Sequence, residues 1–224
     1  MILARATCRA RPALRLLKRL HEDQSALALI EFALVAPFFM AIGLLGADTA
    51  NYALVHMKVS QMAMHVADNA SRVGEQNVIV SRRVYEDDIN DLFIGVQRFS
   101  GKLNIAAKGR IILSSLERNA EGGQWIHWQR CYGAKNHASS YGVAGNGATG
   151  TSFQGMGPAG KKITASANEA VMFAEIAYDY TSISPYSPLN GEELVYTAAF
   201  NVRDARDLSG IYQTNPAAPV ATCQ

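Results

Sequence analysis

The chain has 224 residues and a mass of 24.2 kDa; 49% of its residues are apolar and 18% are charged. This composition excludes a wholly disordered chain and suffices for one ordinary domain with an appendage. The formal net charge of +2 is too small to indicate a nucleic-acid-binding protein. Six basic and two acidic residues precede residue 26, which leaves 15 basic and 17 acidic residues over 27–224. A basic leader therefore precedes a mildly acidic body.

An apolar segment of 22 residues runs from Ala26 to Ala47, and Glu31 is its only charged residue. At 1.5 Å per residue, a helix of this length spans about 33 Å, which matches the roughly 30 Å hydrocarbon core of a bilayer. The segment is therefore predicted to form a transmembrane helix over 27–47. A cleaved secretory signal is the alternative, but the segment is long for a signal and its exit lacks a clean A-x-A cleavage site.

The basic leader also predicts the orientation of the chain. Because its six basic residues precede the span and few follow it directly, the positive-inside rule places residues 1–26 in the cytoplasm. Residues from about 48 onward are then expected to lie outside the cytoplasmic membrane.

Two residues of the span are unusual in a simple anchor. An unpaired carboxylate within a membrane costs about 2–3 kcal/mol, so Glu31 needs a partner. Pro37 lacks a backbone N–H and is expected to kink the helix, which neighbouring helices can compensate within a membrane. A tolerated kink is the plain alternative for Pro37. Glu31 is the stronger indication that this helix makes specific contacts.

The residues around Glu31 resemble a known family. The segment Asp23–Pro37 reads DQSALALIEFALVAP, which is similar to the N-terminus of TadE/TadG-like proteins, the pilin-like minor components of tight-adherence (Flp, type IV-like) pilus systems. The family pattern is a short basic leader, a small residue at the cleavage point, four apolar residues, Glu, Phe, and a hydrophobic helix containing Pro. The chain departs from this pattern at Ala26, where the family usually has Gly.

The resemblance implies a processing site and a set of partners. Prepilin peptidase would cut between Ala26 and Leu27, making Glu31 the fifth mature residue, with Phe32 and Pro37 further along the assembly helix. The new ammonium of Leu27 would lie four residues from Glu31 on one helix face and supply its partner, in this subunit or a neighbouring one. The implied partners are prepilin peptidase, sibling TadE/TadG-like pseudopilins, the major pilin, the inner-membrane pilus platform and membrane lipid, with no nucleic acid.

Apolar residues at helical spacing predict that the helix continues beyond the span as an amphipathic extension over 48–74, with Gly74 as its stop. The methionines at 57, 62 and 64 are interpreted as a packing face. A second helix is predicted over Tyr85–Gln97, with acidic residues in its first turn, where the helix dipole favours anions. The apolar face of the extension is predicted to comprise Ala50, Leu54, Met57, Met62, Val66 and Val73.

Four β-rich segments follow, and a glycine-containing turn between the first two predicts a hairpin. One antiparallel sheet packed on the upper half of the long helix would bury their apolar faces. The predicted fold class is α+β, pilin-like and single-pass, with an external domain over 75–224. The alternating charges of 203–207 (RDARD) predict a solvated, salt-bridged face. The predicted strands are Gly109–Leu116, Gln124–Arg130, Val171–Tyr180 and Val195–Val202.

A glycine-rich segment over 132–160 is predicted to be a mobile surface loop. It contains matches to nucleotide-binding glycine motifs at Gly145–Gly150 and Gly155–Lys161, but neither follows a strong apolar strand or opens a convincing helix. The five histidines are dispersed without metal-ligand spacing. No cofactor and no metal site is predicted, and the chain is not expected to be an enzyme.

The three cysteines divide between the leader and the predicted external domain. Cys8 lies in the leader, whereas Cys131 and Cys223 lie where disulfides form and persist. A bond between the latter two would close a loop of about 92 residues, which is worth roughly 4–5 kcal/mol in the chain-entropy treatment. Two free thiols are the alternative.

The resemblance predicts a minor pilin or pseudopilin of the bacterial inner membrane, with a periplasmic C-terminal domain, that supports assembly of a tight-adherence pilus. The alternative is an uncleaved single-pass envelope protein whose external domain is an adhesive or sensory binding module. Cleavage after Ala26 distinguishes the two. The sequence leaves open whether the protein joins the fibre, its tip or the basal complex.

Overall fold

The structure is a computed structural model that describes residue 19, residues 25–77 and residues 80–223. The predicted leader therefore lies almost entirely outside the described residues. Contacts divide the chain into two compact units, Met1–Thr49 and Ala50–Gln224. The helices are α1 (Ser25–Arg72), α2 (Glu86–Ser100) and α3 (Ile105–Lys108), with a 3-10 turn at Gly101–Leu103. The strands are β1 (Glu75–Asn77), β2 (Val80–Tyr85), β3 (Gly109–Arg118), β4 (Gln124–Tyr132), β5 (Val171–Asp179), β6 (Glu193–Asn201) and β7 (Arg206–Tyr212).

The long helix α1 confirms the predicted helix to within one residue at each end. Pro37 lies inside it, and helical structure continues on both sides. Gly74 follows the end of α1 with a φ of +119°, a conformation that residues with a Cβ rarely adopt. A Cβ at this position would also lie 2.6 Å from the carbonyl oxygen of Arg83. Gly74 therefore ends the helix, as the sequence predicts.

Within the unit Ala50–Gln224, one face of α1 packs on the domain core. Val59, Met62 and Val66 are fully buried and recur at helical spacing. The predicted apolar face is wrong for Ala50, Leu54 and Met57, which are exposed, the last two by 60% and 54%. The predicted methionine packing face is also wrong for Met57 and for Met64, which is 46% exposed. The pattern misleads because apolar residues occur on both sides of this part of the helix.

Helix α2 confirms the second predicted helix and extends three residues beyond its predicted end. The backbone N–H of Tyr85 donates to the carboxylate of Asp88 at 2.9 Å, which satisfies a donor at the helix start. Ile89, Phe93 and Val96 form the buried face of the helix. Helical periodicity and the acidic first turn explain why this segment was predictable.

Strands β3 to β6 form the predicted antiparallel sheet, in the order β4-β3-β5-β6, and each strand agrees with its prediction to within two residues at either end. The predicted hairpin joins β3 to β4. Its turn is closed by Asn119, whose Oδ1 accepts hydrogen bonds from the backbone N–H groups of Glu121 (3.0 Å) and Gly123 (2.8 Å). We refer to these four strands as the main sheet.

A second, three-stranded sheet in the order β1-β2-β7 was not predicted. The strand β7 begins at Arg206, which the sequence placed on a solvated face. Arg206 is instead half-buried, and its Nη2 donates to the carbonyl oxygens of Ala70 (3.0 Å) and Val73 (2.8 Å) at the end of α1. Burial lowers the pKa of Arg206 to about 10, so it stays charged at neutral pH. The neighbouring charges do form ion pairs as predicted, namely Arg203 with Asp68, Asp204 with Arg82 and Asp207 with Arg83.

The central strands of the main sheet, β3 and β5, are buried on both faces. One face packs against α1 and α2 in the larger hydrophobic cluster. The other face carries a smaller cluster that includes Ile126 and Phe173, and Met156 of the glycine-rich segment is fully buried there. Backbone hydrogen bonds of 3.1 and 2.7 Å join Met156 to Ile163. The prediction of a surface loop is therefore wrong for this part of the segment, because it covers the second face of the sheet.

Candidate functional site

The predicted processing site lies in the first turn of α1. Ala26 and Leu27 are both exposed, Leu27 by 57%. The first backbone N–H groups of a helix lack intrahelical partners, so the bond between these residues lies where helical hydrogen bonding is weakest. Of the basic residues that would precede a cut, only Arg19 is described, and it is exposed.

Glu31 lies about one turn further along α1, on the same face as Leu27. The side chains around it are exposed, and Phe32 is 72% exposed. Leu27 is joined to Ala26 by a peptide bond in the intact chain, so the ammonium expected to pair with Glu31 is formed only by cleavage. Pro37 removes one backbone hydrogen bond, the one that would reach the carbonyl four residues before it.

The first half of α1 presents large apolar side chains to its surroundings. An 18-residue window of this helix has a mean hydropathy of 2.2, and none of the window is buried. The helix is thus long and apolar enough to cross a membrane. A signal sequence near the N-terminus can meet the same criteria of length and hydropathy. Apolar surface left in water costs about 25 cal/mol per Å², so lipid or neighbouring helices are expected to cover it. These residues, between 43% and 72% exposed, are Leu27, Leu29, Ile30, Phe32, Leu34, Val35, Phe38, Phe39, Met40, Ile42, Leu44 and Leu45.

A polar cluster that the sequence did not reveal lies on the face of the main sheet opposite to α1 and α2. Glu175 in β5 is only 1% exposed. Its carboxylate accepts hydrogen bonds from Ser139 Oγ (2.9 Å) and the backbone N–H of Ser140 (3.1 Å), and His137 Nε2 lies 3.4 Å away. These three partners belong to the glycine-rich segment, so the buried carboxylate holds that segment on the sheet.

Lys135 joins the same segment to the ends of two strands. Its Nζ lies 2.5 Å from a carboxylate oxygen of Asp179 and 3.0 Å from one of Glu193. Burial lowers the pKa of Lys135, but hydrogen bonds to the two carboxylates outweigh burial and raise the pKa above its usual value. The hydrogen bond from Lys135 in turn lowers the pKa of Glu193. The charges therefore stabilise each other as an ion-paired group rather than presenting a free acid or base.

A cavity of about 360 Å³ lies beside this group. Its lining includes Arg110, Lys135 and His137, with Cys223 at one side. The lining is polar, but Lys135 is already paired with Asp179 and Glu193. In the part of the chain that the structure describes, no group of three or more His, Cys, Asp or Glu side chains is arranged to hold a metal ion.

Cys131 and Cys223 lie at bonding distance, with an S–S separation of 2.09 Å and a Cα–Cα distance of 4.9 Å. The backbone N–H of Cys131 donates to the carbonyl oxygen of Ala221 at 2.8 Å, so the C-terminal segment passes along β4 at this point. The bond joins residues 92 positions apart. It attaches the C-terminal segment to the edge of the main sheet.

These elements define an α+β protein with one long apolar helix and a disulfide-linked domain. The chain matches no family model, no curated protein and no solved structure. The features that bear on function are the Glu31 segment of α1 and the polar cluster around Glu175.

Proposed function

We propose that the protein is a TadE/TadG-like minor pilin or pseudopilin, with a structural rather than a catalytic role in assembling a tight-adherence pilus. The observation that carries this proposal is Glu31, the single charge within an exposed apolar helical segment of 22 residues. A plain anchor gains nothing from a carboxylate at this depth, whereas a helix that assembles with others can use it.

The proposed role of Glu31 follows from its charge. Cleavage between Ala26 and Leu27 frees an ammonium four residues away on the same helix face. Pairing with this ammonium, in the same subunit or in the next one, offsets the cost of placing the carboxylate in the membrane. When the ammonium belongs to a neighbouring subunit, the pair also fixes how far one helix slides along the other. Glu31 thus sets the register of assembly.

The remaining parts of the chain fit this arrangement. The segment 27–47 anchors the protein in the bacterial inner membrane, and its exposed apolar side chains contact lipid and sibling pseudopilin helices. The domain Ala50–Gln224 lies in the periplasm, a compartment in which a Cys131–Cys223 disulfide is stable. Prepilin peptidase processes the chain, and the major pilin and the membrane platform of the pilus are its assembly partners.

A second candidate, an uncleaved envelope protein whose domain binds a ligand, is favoured by one observation. The cavity beside Lys135 and His137 has the size of a small-molecule site and polar side chains in its lining. This function needs neither cleavage nor Glu31.

The proposal is tested by substituting Glu31 in the full chain, expressed in its native membranes together with the pilus system. Glu31→Gln keeps the size of the side chain but removes the charge. We expect co-isolation with sibling pseudopilins to fall roughly tenfold or more, which corresponds to a loss of about 1.4 kcal/mol or more in the free energy of association. Glu31→Asp keeps the charge and serves as the matched control, with assembly largely retained. Unchanged co-isolation and piliation in Glu31→Gln would contradict the proposal.

A further inference from the structure

An apolar stripe lies on the side of α1 that faces away from the core of the unit Ala50–Gln224. Leu54, Met57 and Met64 are 60%, 54% and 46% exposed, and Gln61 between them is also exposed. The solvent side of a surface helix normally carries polar residues. We call these four residues the outer stripe.

The outer stripe has the spacing of a helix–helix seam. Its members are three, four and three residues apart, which is the a/d pattern of a coiled coil. It is distinct from the buried face of the same helix, formed by Val55, Val59, Met62 and Val66. This part of α1 therefore has two apolar faces, and only one of them packs on the domain.

Helix α2 widens the exposed apolar surface on one side of the stripe. Phe99 is 42% exposed. The ring of Phe99 lies 4.7 Å from that of His65, the residue next to Met64. The outer stripe is therefore part of a larger apolar patch, of the kind that marks an interaction surface.

Lipid does not account for the whole stripe. The predicted span is already long enough for the roughly 30 Å hydrocarbon core. From Ala50 to Met64 the helix rises about 21 Å further at 1.5 Å per residue. Met64 thus lies well beyond the hydrocarbon, so its partner is expected to be a protein.

We propose that the outer stripe is the contact between two copies of this chain, which pair through α1 as parallel helices in register. In this arrangement each Gln61 meets its counterpart, and the two amides can donate to and accept from each other. An antiparallel pair centred on the stripe would instead place Gln61 against Met57 and leave its amide without a partner. Parallel helices also let both copies enter one membrane from the same side.

The charges next to the stripe are compatible with this pairing. Lys58 is directed towards the end of α2, where its Nζ lies 3.5 Å from the position that a Cβ on Gly101 would occupy. Asp68, one step beyond the stripe, is paired with Arg72 at 2.8 Å. Neither Lys58 nor Asp68 therefore has to face the same charged residue of the second copy. The pair does not depend on a pilus role, because it requires only two copies side by side in the same orientation.

The test is disulfide cross-linking of the full chain in membrane vesicles, in a Cys8→Ala background. Met57→Cys and Met64→Cys place a thiol on the stripe, and Asn69→Cys places one at an exposed position of the same helix off the stripe. After mild oxidation we expect a covalent dimer of two identical chains at 57 and at 64, at roughly ten times the yield at 69. Intact mass identifies the partner.

Equal yields at the three positions, or cross-links only to a protein of different mass, would overturn the pairing. A count of copies of the unsubstituted chain in lipid nanodiscs guards against misfolded variants: two copies are expected, and one copy would also overturn it. The N-terminal residue is read from the same samples. An uncleaved chain that still cross-links at 57 and 64 would keep the helix pair and contradict only the pilin function.

Discussion

At the scale of single residues, Asp207 in β7 shows how neighbouring groups stabilise a charge of this domain. The hydroxyl of Tyr212 donates to its carboxylate at 2.6 Å, and the backbone N–H of Ser209 donates at 3.0 Å. Arg83 lies 3.5 Å away. These contacts, led by the hydrogen bond from Tyr212, lower the pKa of Asp207 to about 2. Because the folded-state pKa is depressed, the stabilisation is present above the ordinary pKa of 3.8 and is lost as the pH falls towards 2.

We predict that Tyr212→Phe raises the pKa of Asp207 towards 3.8, because it removes the strongest hydrogen bond to the carboxylate. The part of the acid-induced loss of stability that Asp207 contributes between about pH 4 and pH 2 then becomes smaller. Carboxyl ¹³C NMR titration of the full chain measures the pKa directly. Tyr85→Phe is the control, since the ring of Tyr85 lies 6.0 Å from that of Tyr212 and the substitution leaves the Asp207 hydrogen bonds in place. An unchanged titration in Tyr212→Phe would contradict the assignment.

Single residues also differ in how far the sequence predicts them. Glu31 is conspicuous because its surroundings in the sequence are uniformly apolar. Glu175 also lies in a β-rich segment, but its partners Ser139 and His137 are more than thirty residues away and come from a segment without periodicity. Only the fold brings them together. A buried charge can thus be suspected from sequence, while its partners cannot be identified.

At the scale of elements, periodicity explains what was predictable. The helices α1 and α2 and the four strands of the main sheet have clear helical or β-rich patterns, and all were predicted to within a few residues. The small sheet was missed because β1 and β2 are short and polar, and because β2 pairs in parallel with the distant β7. The charged residues of the small sheet have a sequence pattern typical of a solvent-exposed surface. Arg206 shows why that interpretation is wrong, since it binds the end of α1 from β7.

We predict that Arg206→Ala lowers the free energy of unfolding by about 1.5–3 kcal/mol, because it removes charged hydrogen bonds to the carbonyl groups of Ala70, in the last turn of α1, and of Val73, just after it. Arg203→Ala is the matched control: its side chain is 59% exposed and lies 3.6 Å from Asp68, so we expect a loss below about 1 kcal/mol. Urea unfolding of the full chain in detergent, followed by the fluorescence of Trp125 and Trp128 in β4, measures both. Equal losses of unfolding free energy in the two variants would show that the hydrogen bonds from Arg206 to the end of α1 contribute nothing.

At the scale of the whole molecule, the disulfide is the one covalent link between distant parts of the described chain. It joins the C-terminal segment to β4 across a sequence separation of 92 residues. The sequence predicted this pairing from the count and placement of the cysteines. It did not predict that the glycine-rich segment covers a sheet face, since the few apolar residues of that segment have no periodic pattern.

We predict that Cys131→Ala lowers the free energy of unfolding by about 3–5 kcal/mol under non-reducing conditions, because the unfolded chain regains the entropy of the open loop. Cys8→Ala is the control and is expected to have no effect. The same urea titration measures both variants. A loss below about 1 kcal/mol in Cys131→Ala would show that the link to the C-terminal segment contributes little to stability.

The central claim, that the chain is a processed pilin-like protein, is tested most directly by its N-terminal residue. The protein is purified from its native membranes and examined by intact mass and terminal sequencing, with and without prepilin peptidase. We predict a mature chain that begins at Leu27 and that is absent when the peptidase is deleted. A chain that keeps Met1 in the presence of the peptidase would contradict the claim, and Glu31 would then lack the ammonium that its proposed role requires.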